Sequence, residues 1–286
     1  MTDLTDARID ALRAAHPRAF RDPWAIRARR YAIWALFAGL FAYCLWAFGF
    51  SPGRIWEGLG RLGRVASFMF PPHIWDTWLE WSEIFVGLGE TLAMAFLGTV
   101  LGAIAAFPLA FFGAKTINRI TWLRFTARRG FDVIRAFETL ILALIFIRAF
   151  GLGPLAGIFA IAVSEIGTFA KLWSEALENT SKRPVEGVVA SGGSRLQSIR
   201  YAIMPQVNPV YLSLILYNFE SNVRSGTILG IVGAGGIGFI LSDRIAAYRW
   251  DEAWSIIFLI IGMVYLIDWL SGLVRARLIG RYEGAK

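Results

Sequence analysis

Long apolar runs alternate with short basic stretches along this chain. Tyr31 to Phe50 carries no charged residue, and further apolar runs cover 83–113, 131–150, 155–173, about 206–231 and 254–273. Each approaches the ~20 residues that a helix needs to cross a bilayer. The pattern predicts an all-α membrane protein with about six transmembrane helices. Basic residues collect between the runs. Arg8, Arg13, Arg18, Arg21, Arg27, Arg29 and Arg30 precede the first, and Lys115, Arg119, Arg124, Arg128 and Arg129 occupy 115–130 with no acid. Arg275, Arg277, Arg281 and Lys286 follow the last. Such stretches stay on the cytoplasmic side, so an even number of spans puts both termini inside.

Residues 1–30 form a basic N-terminal segment, either a surface helix touching anionic lipid or a topology signal alone. The first span and an external segment fill 31–82. The external part mixes Arg54, Arg61 and Arg64 with Glu57, Asp76 and Glu80, so its positive charge is discordant with the topology rule. It also holds Trp56, Trp75, Trp78 and Trp81, which fits an interfacial helix at headgroup level or a docking surface for an external protein. The core is expected over 83–278, and 279–286 is a cytoplasmic tail. Gly98 and Gly102 form a small-xxx-small pair in the second span, with Ala95, Ala103 and Ala106 nearby. They permit close helix contact and weakly suggest a dimer seam.

Between the fourth and fifth runs lies PVEGVVASGGSRLQSIRYAIMP, from Pro184 to Pro205. Pro184 suits a first helical turn, and Glu186 follows where a carboxylate complements the helix dipole. Gly192-Gly193 interrupts the helix, and Ser194 can cap a second one. Leu196, Ile199 and Ile203 recur at helical spacing, and Pro205 is expected to end the segment. The stretch reads as helix, Gly-Gly turn, helix, lying at a membrane surface.

Ionisable groups inside spans are costly and usually face the protein interior or a pathway. Glu90, Arg135, Glu138, Arg148, Glu165 and Asp268 are such groups, and the richest set is Asn218, Glu220, Ser221, Asn222, Arg224 and Ser225. At 100° per residue Asn218, Ser221, Asn222 and Ser225 share one face, which either lines a translocation path or glues helices together. Glu220 and Arg224 form an i,i+4 pair with the acid first, better suited to bracing. Glu165 joins the candidates for the path. Next comes GTILGIVGAGGIGF, with Gly230, Gly233, Gly235, Gly236 and Gly238. GAGGIG matches GxGxxG formally, but a dinucleotide site needs a strand before it and an acid at a later strand end. A membrane span follows here. The glycines are read as a sharp turn or re-entrant break at membrane depth, which survives only inside protein or at a cavity.

Composition narrows the chemistry. The 286 residues are 56% hydrophobic with a formal net charge of +8. Because the cations cluster between apolar runs, they argue for lipid topology and against nucleic acid. Cys44 is the single cysteine, and His16 and His73 are the two histidines. No disulfide framework or metal cluster is expected, and His73 is read as interfacial. A cleavable signal peptide is not evident. No GxxxxGK[ST] loop and no nucleophile–base set occurs, so an embedded enzyme is disfavoured and any ATP chemistry must belong to another chain.

The 184–205 stretch resembles the cytoplasmic loop of ABC importer permeases, Glu-Ala-Ala, three residues, Gly, nine residues, Ile, any, Leu-Pro. Glu186 takes the Glu position and Gly187-Val188 replace the alanines. Gly192 takes the Gly, Ala202 stands for the Ile, and Met204-Pro205 for Leu-Pro. Asn222 to Phe239 and Leu144 to Glu178 look like the corresponding segments of phosphonate importer permeases, and the resemblance covers about 83–278. Ser164-Glu165 departs from the family's His-Ser type pair, which puts any substrate role there in doubt. The resemblance implies a type I importer permease core whose coupling helix contacts an ATP-binding subunit through Glu186, Ser191, Gly192, Arg195 and Pro205. It implies two such ATPases carrying ATP and Mg, a periplasmic phosphonate-binding protein, and a second permease chain, expected identical, in a bacterial inner membrane. The implied cargo is a phosphonate or a related oxyanion such as phosphite or phosphate, and Arg224 could hydrogen-bond it. A methionine or glycine-betaine permease would share the loop but differ at 226–238. A secondary transporter would also show broken, charged spans, but has no use for the loop.

Overall fold

The computed structural model describes residues 14–15, 23–70 and 72–283, with side-chain surroundings through 277. Most of the 1–30 arm and the 284–286 end of the tail lie outside the described residues. Regular structure among the described residues is helical throughout. The chain divides into two units, Met1–Ser67 and Phe68–Lys286.

In the first unit, helix α1 (Trp24–Ala47) is 24 residues long and has no buried residue. At 1.5 Å per residue it extends about 36 Å, enough to cross the ~30 Å hydrocarbon core. It starts upstream of the expected Tyr31 and takes Arg27, Arg29 and Arg30 into its first turns. A Schellman turn closes it. Phe50 N–H donates to Leu45 O and Gly49 N–H to Trp46 O, with Gly49 at φ +61°. Helix α2 (Pro52–Ser67) follows, again without a buried residue.

The second unit is built on α3 (Trp78–Gly113) and α6 (Pro154–Glu178). Small residues let the two approach. A Cβ on Gly98 would stand 2.6 Å from Ile161 Cβ, and one on Gly102 would stand 2.5 Å from Glu165 Cβ. The small-residue seam is therefore an internal contact between α3 and α6, and these two glycines are already used within the chain. Around this pair lie α4 (Thr121–Ala136), α5 (Thr139–Phe150), α7 (Lys182–Ala190) and α8 (Arg195–Ser198). A π turn (Ile199–Ile203) runs into α9 (Met204–Leu229), a second (Gly230–Ala234) precedes α10 (Gly236–Ala246), and α11 (Trp250–Glu283) ends the fold.

The apolar run at 131–150 is not one helix. Phe137 and Glu138 are extended, at ψ 124° and 137°, and the chain re-enters helix as the 12-residue α5. That is about 18 Å of helix, short of a bilayer crossing. Among the described residues four helices are long and apolar enough to span, α1, α3, α6 and α11, and the pair formed by 195–234 and α10, bent by 59°, makes a fifth if taken as one span.

The external-segment tryptophans separate. Trp56 and Trp78 are exposed, but Trp75 is only 4% exposed and lies outside any helix. It meets Trp81 edge-on at 5.0 Å and accepts from Trp81 Nε1 through its carbonyl at 2.9 Å. It belongs to a core cluster with Ile84, Ile237, Leu241, Ala253 and Ile256, which corrects the interfacial reading for this residue. His73 Nδ1 lies 3.3 Å from Asp251 Oδ2.

Candidate functional site

The loop between α6 and α9 is a two-helix hook. Pro184 is the third residue of α7, where its missing N–H would have no intrahelical partner anyway. Glu186 follows in the next turn and is exposed. Gly193 N–H donates to Val188 O and Gly192 N–H to Val189 O. With Gly192 at φ +82°, this is a second Schellman turn. Ser194 Oγ then accepts from Gln197 N–H, and Gln197 Oε1 accepts from Ser194 N–H at 2.7 Å, a capping box that starts α8.

Pro205 does not end the helix. The chain passes through the π turn and continues into α9, with Pro205 in its first turn. A wide π turn relieves the clash between the proline ring and the carbonyl four residues back, so the helix survives its proline. The expected face also splits. Ile203 is buried and Ile199 packs against the core, whereas Leu196 is 76% exposed.

Glu186, Ser191, Gly192, Arg195 and Pro205 are all exposed. The hook that presents them is anchored. Arg195 donates to Ile117 O, and Gln206 Oε1 accepts from Ser181 N–H at 2.9 Å. Stacked Phe169, Trp173 and Tyr211 join α6 to α9 beside it, with ring centroids 5.0 and 4.4 Å apart. Arg128, which the sequence marks only as a topology charge, completes the clasp with Glu178, Lys171 and Asp132. Glu178 at the end of α6 pairs with Arg128 at 2.8 Å, Arg128 Nε donates to Gly113 O, and Lys171 pairs with Asp132 at 2.5 Å.

Deeper in the unit, three helices share a buried polar knot. Asn222 Nδ2 on α9 donates to Glu165 Oε1 on α6 at 2.7 Å and to Thr99 Oγ1 on α3 at 3.0 Å. Thr99 in turn donates to Ala95 O. Glu165, Asn222 and Thr99 are 6%, 7% and 1% exposed. In this conformation the knot holds helices together. Asn218 is half-buried and bonds back to Leu214 O, and Ser225, two turns further along the same side of α9, is also half-buried.

Glu220 and Arg224 form the expected pair at 3.4 Å. Helix α11 extends it. Arg275 reaches Glu220 at 3.2 Å and Asp268 stands 3.9 Å from Arg224, giving an alternating ionic ladder between α9 and α11.

The glycine segment makes the break. Gly233, Gly235 and Gly236 take φ +106°, +81° and +71°, values that side chains rarely adopt. Gly230 and Gly238 let its two arms touch, since a Cβ on Gly230 would lie 2.8 Å from Gly238 Cα. The freed N–H groups at the start of α10 are capped from α3. Gly236 N–H donates to Glu90 Oε2 and Ile237 N–H to Thr91 Oγ1, each at 3.0 Å. Gly153 N–H donates to Gly233 O, so the start of α6 is tied to the same break.

Comparison with known proteins gives this geometry a context. The chain is similar to the putative phosphite transport system permease protein HtxC of Stutzerimonas stutzeri, 35% identical over 87% of each chain. It is 38% identical to the phosphate-import permease protein PhnE of Mycolicibacterium smegmatis, over 69% of this chain and 37% of that protein. Among solved structures it resembles a chain of the inward-facing MetNI methionine ABC transporter. That match has a TM-score of 0.63 and 22% identity, and covers 71% of this chain and 99% of that one. The family model for the binding-protein-dependent transport system inner membrane component matches residues 98–280, which contain the hook, the polar knot and the glycine break. The chain belongs to that family.

Proposed function

We propose that this chain is the membrane-spanning permease subunit of an ATP-driven importer for phosphonate or a related phosphorus oxyanion, phosphite or phosphate included. The observation that carries the importer reading is the exposed hook at 182–203. A helix ended by a Schellman turn and restarted by a capping box is anchored to α6 and α9, the helices it connects. A push on Glu186 or Arg195 from the cytoplasmic side is therefore delivered to α9, and through Asn222 to α3 and α6. The chain has no phosphate loop of its own, so the push comes from a separate ATP-binding subunit, two copies per complex, each using ATP and Mg. A second permease chain completes the path, and a periplasmic binding protein delivers the cargo. Both termini lie in the cytoplasm.

The substrate class is supported by the names of the relatives, phosphite for one and phosphate for the other. The likeness to the methionine transporter supports the fold alone. The test of coupling is Glu186→Lys in the assembled complex. ATP hydrolysis should run without uptake, or the ATP-binding subunit should fail to co-purify. Coupled uptake at the wild-type rate would remove the hook from the mechanism. Competition of uptake by methylphosphonate, phosphite, phosphate and methionine tests the cargo. Inhibition by methionine alone would reassign it.

A further inference from the structure

We propose that α2 is a membrane-surface helix that binds anionic phospholipid headgroups through Arg61 and Arg64. At 100° per residue Ile55, Leu59, Leu62 and Ala66 fall in one sector about 60° wide, and Arg54, Glu57, Arg61 and Arg64 lie opposite. Trp56 sits at the boundary, where an indole matches headgroup depth. Among the described residues of the unit nothing covers the apolar stripe: Leu59 and Leu62 are 54% and 63% exposed, and α2 has no buried residue.

Two observations select lipid as the occupant. The first is continuity. The turn leaving α1 is fixed by Phe50 N–H on Leu45 O, and Arg54 Nη1 donates back to Gly49 O at 3.2 Å. The start of α2 is thereby held at the end of a helix that carries no charge from Tyr31 onward, so α2 begins at the surface of the bilayer that α1 crosses. The second is intrinsic weakness. Gly53, Gly58, Gly60 and Gly63 all fall within α2, and among the described residues nothing beyond the helix's own neighbouring backbone lies within 4 Å of where their Cβ atoms would stand. A short helix with four glycines has poor stability of its own and needs an apolar surface to lie on. The charge fits the headgroups, because three arginines face one acid and Glu57 is already 3.6 Å from Arg61.

The test uses the full chain with Cys44→Ser in lipid nanodiscs containing phosphatidylglycerol and phosphatidylcholine. Spin labels at Leu62→Cys and Glu57→Cys report depth by collision with oxygen and with a water-soluble nickel chelate. The expected result is oxygen-dominated collision at 62 and nickel-dominated collision at 57. Nickel access at both sites, or burial of both in a protein contact, overturns the proposal, the latter in favour of a partner protein. Native mass spectrometry then reads lipid retention. Replacing Arg61 and Arg64 by Gln should weaken phosphatidylglycerol binding roughly fivefold per arginine, the loss expected for a basic segment at an anionic surface. Unchanged retention would show that the headgroup charge is not recognised.

Discussion

Asn222 shows how much one side chain can hold at membrane depth. It spends both amide N–H groups on two other helices. Asn222→Leu would leave Glu165 and Thr99 without their donor inside the unit, and should cost about 1–2 kcal/mol, read as a lower melting temperature of the detergent-solubilised chain. Glu165→Gln keeps an acceptor for Asn222 in the same place and should melt close to wild type. A large loss there would mean that the carboxyl does more than accept. The sequence marked Glu165 and Asn222 as polar groups in spans, but nothing local could pair residues 57 positions apart, and Thr99 carried no signal. Trp75 is the opposite case. It was read by composition as interfacial, and its burial depends on Ile237 and Ile256, far along the chain. Gly236 has both a left-handed φ and a crowded Cβ position against Thr91. Gly236→Ala should therefore destabilise by about 1–2 kcal/mol from backbone strain alone, with more from the displaced cap.

At the scale of elements, what was legible is what is encoded locally. The Gly192-Gly193 turn and the Ser194 cap formed as read, because a Schellman turn and a capping box each involve only a few consecutive residues. The glycine break was legible for the same reason, since Gly233, Gly235 and Gly236 need left-handed backbone. Pro205 misled, because the π turn before it accommodates a proline that would stop an ordinary helix. The division of 131–150 into α4 and α5 was hidden, because Phe137 and Glu138 are ordinary residues. Gly167 has a part in it, as a Cβ there would meet Ile134 Cγ2 at 2.8 Å. The ionic ladder was half visible as Glu220 and Arg224. Its other rungs, Asp268 and Arg275, come from α11. Removing Arg275 should loosen α11 more than removing Arg224, because both meet Glu220 but the Arg275 side chain is 32% exposed and that of Arg224 49%, at 3.2 Å and 3.4 Å. Hydrogen exchange along α11 in Arg275→Gln and Arg224→Gln would rank them. Equal protection in the two variants would contradict the greater weight given to Arg275.

For the whole molecule, one continuous helix joins the exposed hook to the buried polar groups. The stretch from Arg195 to Leu229 carries the hook at one end and the polar knot near the other, and the glycine break follows at once. The break is fastened to α3 through Glu90 and Thr91 and to α6 through Gly153. A displacement of the hook thus bears on every helix that meets at the knot and the break. In the proposed function another subunit moves the hook. The most direct measurement is a mild-detergent pull-down of the tagged chain from native membranes, read by quantitative mass spectrometry. The expected result is a stoichiometric partner bearing a GxxxxGK[ST] phosphate loop, lost or uncoupled when Glu186 is reversed in charge. Absence of any such partner, under conditions that keep known transporter complexes intact, would contradict it.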